Sequence, residues 1–274
     1  MTKNKAVPPV DVRGNLERLG FRFGISGPHA ARTMMLEDLR TLMRAAPQSA
    51  NRADLMHLVV RENVLGKPTQ KSRQLAARHL IALYGLDPEL PLFRALQKLW
   101  PKNAGAQPLL AFAVALARDP LVRDTLHLCL KTPVGSTIQR ASLERHLEAL
   151  GPGRFRPTSL RSTAQNLAGS WTAAGLTEGK SRKVRAVPPK TPEAIAMLLF
   201  LGYLEGRTGA RLFSSPWLEL LCCSIADIDA LTVAAAHRGL LIYLHAGGVK
   251  EVRFSDYLTR EEEIVRQEVT CPQS

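Results

Sequence analysis

Residues 158–190 read TSLRSTAQNLAGSWTAAGLTEGKSRKVRAVPPK. Thr158 is a good N-cap, and Leu160, Leu167 and Trp171 recur on one side of a helix while Arg161, Gln165 and Asn166 fall on the other. The pattern predicts a helix over 158–174, stopped by Gly175 in the C′ position. From Leu176 to Pro189 the helical period is gone. Ser181, Lys183 and Arg185 set against Val184 and Val187 suit a short β-hairpin, closed by Pro188-Pro189. Upstream, a helix is expected over 138–150, followed by the turn Gly151-Pro152-Gly153. Helix, turn, helix and hairpin in that order are the plan of a winged helix; the bland alternative is a basic linker between two domains.

Charge marks the same stretch. The chain has 274 residues, 37 Lys+Arg against 24 Asp+Glu, and a formal net charge of +13. Between 151 and 190, Arg154, Arg156, Arg161, Lys180, Arg182, Lys183, Arg185 and Lys190 are opposed by Glu178 alone. After 190 acidic side chains outnumber basic ones. A basic surface of this kind condenses on polyanions and releases their counterions, so nucleic acid is the expected partner of the centre of the chain. The last third is not expected to share it.

Outward from that centre the sequence reads as helices. Before it, they are expected at 29–45, 51–64, 69–84, 90–100, 106–118 and 120–131, with Thr69 as an N-cap and Pro120 in a first turn. The pair 51–64 and 69–84 resembles a helix-turn-helix, whose second helix would present Lys67, Lys71, Arg73 and Arg78 to phosphate, with Gln70 and Gln74 as amides. After it, helices at 192–204, 214–223 and 228–237 precede strands at 240–244 and 249–254, joined through Gly247-Gly248, and an acidic, poorly ordered tail follows from 261. This second winged-helix order carries few cations, and packing or protein contact is its expected use. The fold class is thus all-α: a helical bundle with helix-turn-helix and winged-helix-like units carrying short β-hairpin wings. The expected domains are 1–135, 136–190 and 191–274.

Several function classes are disfavoured. The apolar runs Leu109–Ala117 and Ile195–Leu204 fall short of the ~20 residues that span a bilayer and suit buried helices. Met1–Val10 has no apolar core and does not read as a secretory signal. Cys129, Cys222, Cys223 and Cys271 match no zinc or disulfide framework; the first three are expected in the core and the chain in the cytoplasm. Gly175–Ser181 has one residue too few between its glycines for a phosphate-cradling loop, and no strand before it. The seven histidines show no i, i+4 metal pair. No cofactor, metal or catalytic residue is expected.

The segment Arg61-Glu62-Asn63-Val64-Leu65, the run Thr69–Arg78, the Leu-rich stretch 109–131 and Gly175-Leu176 after the 158–174 helix together resemble the BrxA family of bacterial BREX phage-defence systems. The resemblance covers about 55–205. It implies a small helical protein similar to the antiterminator NusB, without catalytic residues, binding nucleic acid while other BREX proteins carry out methylation and phage exclusion. The chain departs from it in its longer N-terminus and in the portion after 205. The expectation is a double-stranded DNA-binding protein whose contacts are Lys67, Lys71, Arg73, Arg78, Arg154, Arg156, Arg161, Gln165, Lys180, Arg182, Lys183 and Arg185. The alternatives are an RNA-binding antitermination-like factor and an adaptor in the defence complex.

Overall fold

The computed structural model describes residues 11–269; the reading of Met1–Val10 and the position of Cys271 lie outside the described residues. Helix α1 (Val12–Arg18), capped by Asp11, is followed by a 3-10 turn at Pro28–Ala30 and by α2 (Leu36–Ala45). Helices α3 (Arg52–Val60) and α4 (Gln70–Tyr84) both open in capping boxes, Asn51 with Asp54 and Thr69 with Ser72. Helices α5 (Pro91–Leu99), α6 (Gln107–Arg118) and α7 (Pro120–Leu130) each carry Pro in the first turn, where its missing N–H is no loss.

Next come β1 (Thr137–Ile138), α8 (Arg140–Leu150), α9 (Pro157–Ala173), β2 (Thr177–Glu178) and β3 (Lys183–Arg185). The strands form an antiparallel sheet in the order β1-β3-β2, with Thr137 opposite Val184 and Thr177 opposite Arg185. The last third holds α10 (Pro192–Leu204), α11 (Gly209–Phe213), a 3-10 turn at Pro216–Leu221 and α12 (Ile225–His237). The hairpin of β4 (Ile242–Ala246) and β5 (Val249–Arg253) and helix α13 (Arg260–Glu268) complete it.

The protein is mostly helical with two small sheets. Its spine is α6 against α10. Every residue of α6 from Leu109 to Arg118 is buried, and so is nearly all of α10. Helices apolar on all sides belong inside, which explains the two continuous apolar runs. Each fully buried Leu or Phe there contributes about 1.5–3 kcal/mol through transfer alone. Leu80, Trp171, Phe200 and Tyr257 belong to one continuous core that draws on all three expected segments. Among the described residues no helix is long and apolar enough to cross a membrane.

Several elements differ from the sequence reading. The helix expected over 29–45 starts only at Leu36, because residues 31–35 leave the helical region and Met35 takes a positive φ of 50°. The helix expected from 138 starts at Arg140, since Thr137–Ile138 pair with β3 instead. Residues 214–223 form a 3-10 turn rather than an α-helix, with Pro216 opening it and Cys222 left-handed at its end. Cys222 is exposed rather than in the core. The expected loose tail is α13 as far as Glu268: Thr259 and Glu262 cap it, and Val265 buries against the core.

Candidate nucleic-acid interface

Helix α9 is the longest in the unit, and its outer side stays open. Thr158, Arg161, Ser162 and Gln165 are exposed, while Ala164, Leu167 and Trp171 are buried. Arg156 takes the N-cap position without a side-chain cap hydrogen bond, so the first-turn N–H groups add partial positive charge beside Arg156 and Arg161. Neither arginine has a partner among the described residues.

What holds α9 in place is a buried polar network. Ser170 Oγ lies 2.8 Å from His29 Nε2, and His29 Nδ1 lies 2.7 Å from Asp119 Oδ2. Ser170 Oγ also accepts the Met34 N–H at 2.8 Å and donates to Asn166 O at 2.9 Å. Asp119 caps α7 through the Leu121 N–H and accepts the His29 N–H at 2.9 Å. Tyr84 of α4 donates to Met34 O. The loop 28–35 is thereby fastened to α4, α7 and α9 together. Gly27 makes the approach feasible: a Cβ there would lie 1.7 Å from Asp119 Oδ1. Burial opposes ionisation of Asp119, but the hydrogen bonds from His29 and from the Leu121 backbone outweigh it and hold the carboxyl below the usual range. Ser, His and Asp stand in the order of a hydrolase triad. All three are fully buried and the Ser170 oxygen is occupied, so the group mounts α9 and meets no substrate.

The β2–β3 hairpin rises beside α9, and its turn places Lys180, Ser181 and Arg182 in solvent. Arg182 Nε donates to Thr137 Oγ1 at 2.7 Å and Lys183 Nζ to Gly179 O at 2.8 Å; partial burial lowers the Lys183 pKa. Of the eight cations between 151 and 190, only Lys190 reaches a carboxylate among the described residues, Asp227 at 3.6 Å. Arg154 donates to Ile25 O and sits 4.9 Å over the Phe155 ring, so its charge is placed but not neutralised.

Three expected contacts stand differently. Arg185 is 1 % exposed and donates inward, to Leu176 O at 2.8 Å, to Ala186 O and to Cys222 Sγ at 2.8 Å. It braces the hairpin base and does not face a ligand. Lys67 is neutralised by Asp38, at 2.8 and 3.0 Å. Arg73 turns toward the core side of α4 and is half-buried, its Nε without an acceptor. Lys71 and Arg78 are exposed and have no ion-pair partner among the described residues. Asn166, read as outward, donates to His29 O at 3.1 Å and belongs to the mount.

Two clefts flank α9. One, of about 680 Å³, lies between α9, the hairpin and the start of α8, with Gln139, Arg140, Gln165, Lys180, Arg182 and Lys183 on its walls. The other, of about 670 Å³, lies toward α2 and α4; there Arg40 pairs with Glu37 and Lys67 with Asp38, leaving Arg32. Burial lowers the His79 pKa, and the Arg32 and Arg78 charges lower it further. Arg32, Gln139 and Arg140 escaped the sequence reading. Arg32 sat in an expected helix and Arg140 outside the charge run. The partners of the mount lie 90 and 141 residues apart in sequence, and no local signal links them. Among the described residues no group of three or more His, Cys, Asp or Glu is placed to hold a metal ion. No protein-family model matches the chain. No curated protein matches it either.

Proposed function

We propose that the chain is a non-enzymatic double-stranded DNA-binding protein in which α9 enters the major groove and the β2–β3 hairpin grips backbone phosphate. The observation that carries this reading is the run of cations around the open side of α9 without carboxylate partners: Arg154, Arg156, Arg161, Lys180, Arg182 and Lys183. Unpaired surface cations repel one another, and a polyanion relieves that cost while releasing its own counterions. The order α7, β1, α8, α9, β2, β3, with the sheet running β1-β3-β2, supports a winged-helix reading of this unit. Lys71 and Arg78 on α4 extend the basic surface toward a flanking backbone.

Gln165 is the amide on α9 placed to read a base edge, so most contacts are to phosphate and sequence preference is modest. The resemblance to the BrxA family supports placing the protein in a bacterial phage-defence system of the BREX kind, in the cytoplasm, beside partners that supply the chemistry.

A salt titration tests the reading. With about six phosphate contacts, log K falls against log salt with a slope of roughly −5. A flat response, or no binding to any duplex at low salt, would overturn it. Preference for structured RNA in direct competition would favour the antitermination-like alternative, because A-form grooves offer different surfaces.

A further inference from the structure

The cleft between α9 and the hairpin is more than a stretch of basic surface. Its cations stand on the walls: Lys180, Arg182 and Lys183 from the hairpin and Arg140 from α8. No carboxylate lines it; Glu144 reaches in only as far as Arg140, at 2.9 Å. Its floor is apolar: Ala168 and Gly169 are partly open to it, and Leu143 and Trp171 are buried beneath them. The Trp171 indole N–H is buried and meets no acceptor among the described residues. Gln139 and Gln165 each offer an amide donor and acceptor. At about 680 Å³ the space falls in the ~300–1,000 Å³ range of small-ligand sites.

Gly169 sharpens the point. Glycine inside a helix is unfavourable relative to alanine. Here packing does not demand it, since an added Cβ would meet only Thr33 Cγ2, at 3.4 Å. The residue faces both clefts that flank α9. Its missing side chain leaves the helix backbone open on the ridge between them.

Cationic walls, two amides and an apolar floor over an unused donor match one chemical unit, a nucleotide with its phosphate outside and its base inside. We infer that this cleft receives an unpaired nucleotide, base first, from the DNA held by α9 and the hairpin. The inference rests on the DNA-binding reading and goes beyond it, because that reading needs phosphate contacts alone. Removing a base from the stack is least costly when it already lacks a partner, so a bulged nucleotide is the probe of choice.

Three ligands separate the outcomes in fluorescence anisotropy at fixed salt: a perfect duplex, the same duplex with a one-nucleotide bulge, and that bulge made abasic. The bulged duplex is expected to bind about tenfold tighter than the perfect one, the order of a single base's contribution. The abasic bulge returns to the perfect-duplex value. Ala168→Leu, which puts a larger side chain into this cleft and not into the one toward α2, removes the preference while affinity for the perfect duplex stays within about twofold. Gln139→Ala covers the case in which leucine disturbs folding: it takes one amide from the cleft wall, where it makes no cap hydrogen bond, and reduces the bulge preference. Equal binding of perfect and bulged duplexes overturns the inference and leaves the DNA reading standing. Equal binding of intact and abasic bulges overturns it too, since bendability then explains the gain. Failure to bind any of the three overturns both.

Discussion

The chain contains two units in which helices lead into a β-hairpin, and they use their charges in opposite ways. Around α9, Arg154, Arg156, Arg161, Lys180, Arg182 and Lys183 lack carboxylates. Around α12 other cations have them: Lys250 sits 2.5 Å from Asp229, Arg238 is 2.8 Å from Glu193, and Arg253 is 2.6 Å from Glu251. The outer face of the second hairpin sets the exposed Ile242, Leu244 and Val249 beside the Glu251–Arg253 pair. The mounts differ as well. Helix α9 is fixed by His29, Asp119 and Ser170 in the interior, whereas α12 begins in a surface capping box of Ser224 and Asp227. Element order therefore does not distinguish the two units; the pairing state of their cations does. Cations of one kind stand unpaired in one place and in ion pairs with carboxylates in the other.

The most direct way to break the comparison is charge reversal. Replacing Lys180, Arg182 and Lys183 by Glu is expected to weaken duplex binding by about 100-fold or more near physiological salt, and to make the salt slope shallower by about 3. Lys250→Glu on the second hairpin is expected to leave binding within about twofold, while costing stability because Asp229 loses its partner. Comparable losses from both would erase the distinction. Electrophoretic shifts across a salt series read both quantities.

Removing the mount tests the second difference. Asp119→Asn leaves His29 and the α7 cap without their carboxylate and is expected to cost about 2–3 kcal/mol in denaturant unfolding, in the range for hydrogen bonds lost from a buried carboxylate. The pH dependence has a definite sign. A carboxyl whose folded pKa is depressed stabilises above its ordinary value, near 4, and that stability is lost as pH falls through the folded value. The acid limb should therefore flatten in Asp119→Asn. Disruption of the α12 cap, as in Ser224→Ala, is expected to cost only about 1 kcal/mol. If the Asp119 variant unfolds no more easily than the Ser224 variant, the buried network is not what holds α9.

Arg185 belongs to both sides of the contrast. By sequence it is one of the hairpin cations; in space it is a buried brace. Arg185→Met is expected to lower stability by about 1–3 kcal/mol through the carbonyls left unpaired. Duplex affinity of the folded fraction should stay within about threefold. A loss as large as that of the hairpin triple variant would return Arg185 to the interface.

Arg185 also shows where the sequence is and is not legible. Periodicity, caps and prolines locate ten of the thirteen helices among the described residues and miss the short α1 and α11 and the charged α13; those signals are local, as where Thr69 and Thr191 cap and Pro91, Pro120 and Pro192 mark first turns. The β2–β3 hairpin is legible in the same way. Hidden are the features set by contacts between distant residues. Nothing near Arg185 announces that Leu176 and Cys222 will surround it, or near Lys67 that Asp38 will neutralise it. The strand Thr137–Ile138 is too short to announce itself and exists because β3 offers an edge. A charge run marks a basic region to within a unit; which of its members reach the surface unpaired depends on the tertiary fold.

The smallest effect lies at the far end of the basic surface. In the free protein the His79 pKa is lowered first by burial and then by Arg32 and Arg78. If a DNA backbone runs past α4, its phosphates offset those two guanidinium charges, and the His79 pKa rises on binding. A group whose pKa rises on binding takes up a proton, so affinity must grow as pH falls through the histidine range. Because burial is the larger cause and persists, the gain between about pH 7.5 and pH 6 should stay within about threefold, and His79→Gln should abolish that part of it. His245 supplies the control from the other unit. It is exposed and stacks on Tyr243 at 5.9 Å, on a hairpin not expected to touch DNA, so His245→Gln should leave the pH dependence unaltered. If the His245 variant changes the profile and the His79 variant does not, the duplex crosses the second hairpin rather than α4, and the assignment of the two units must be exchanged.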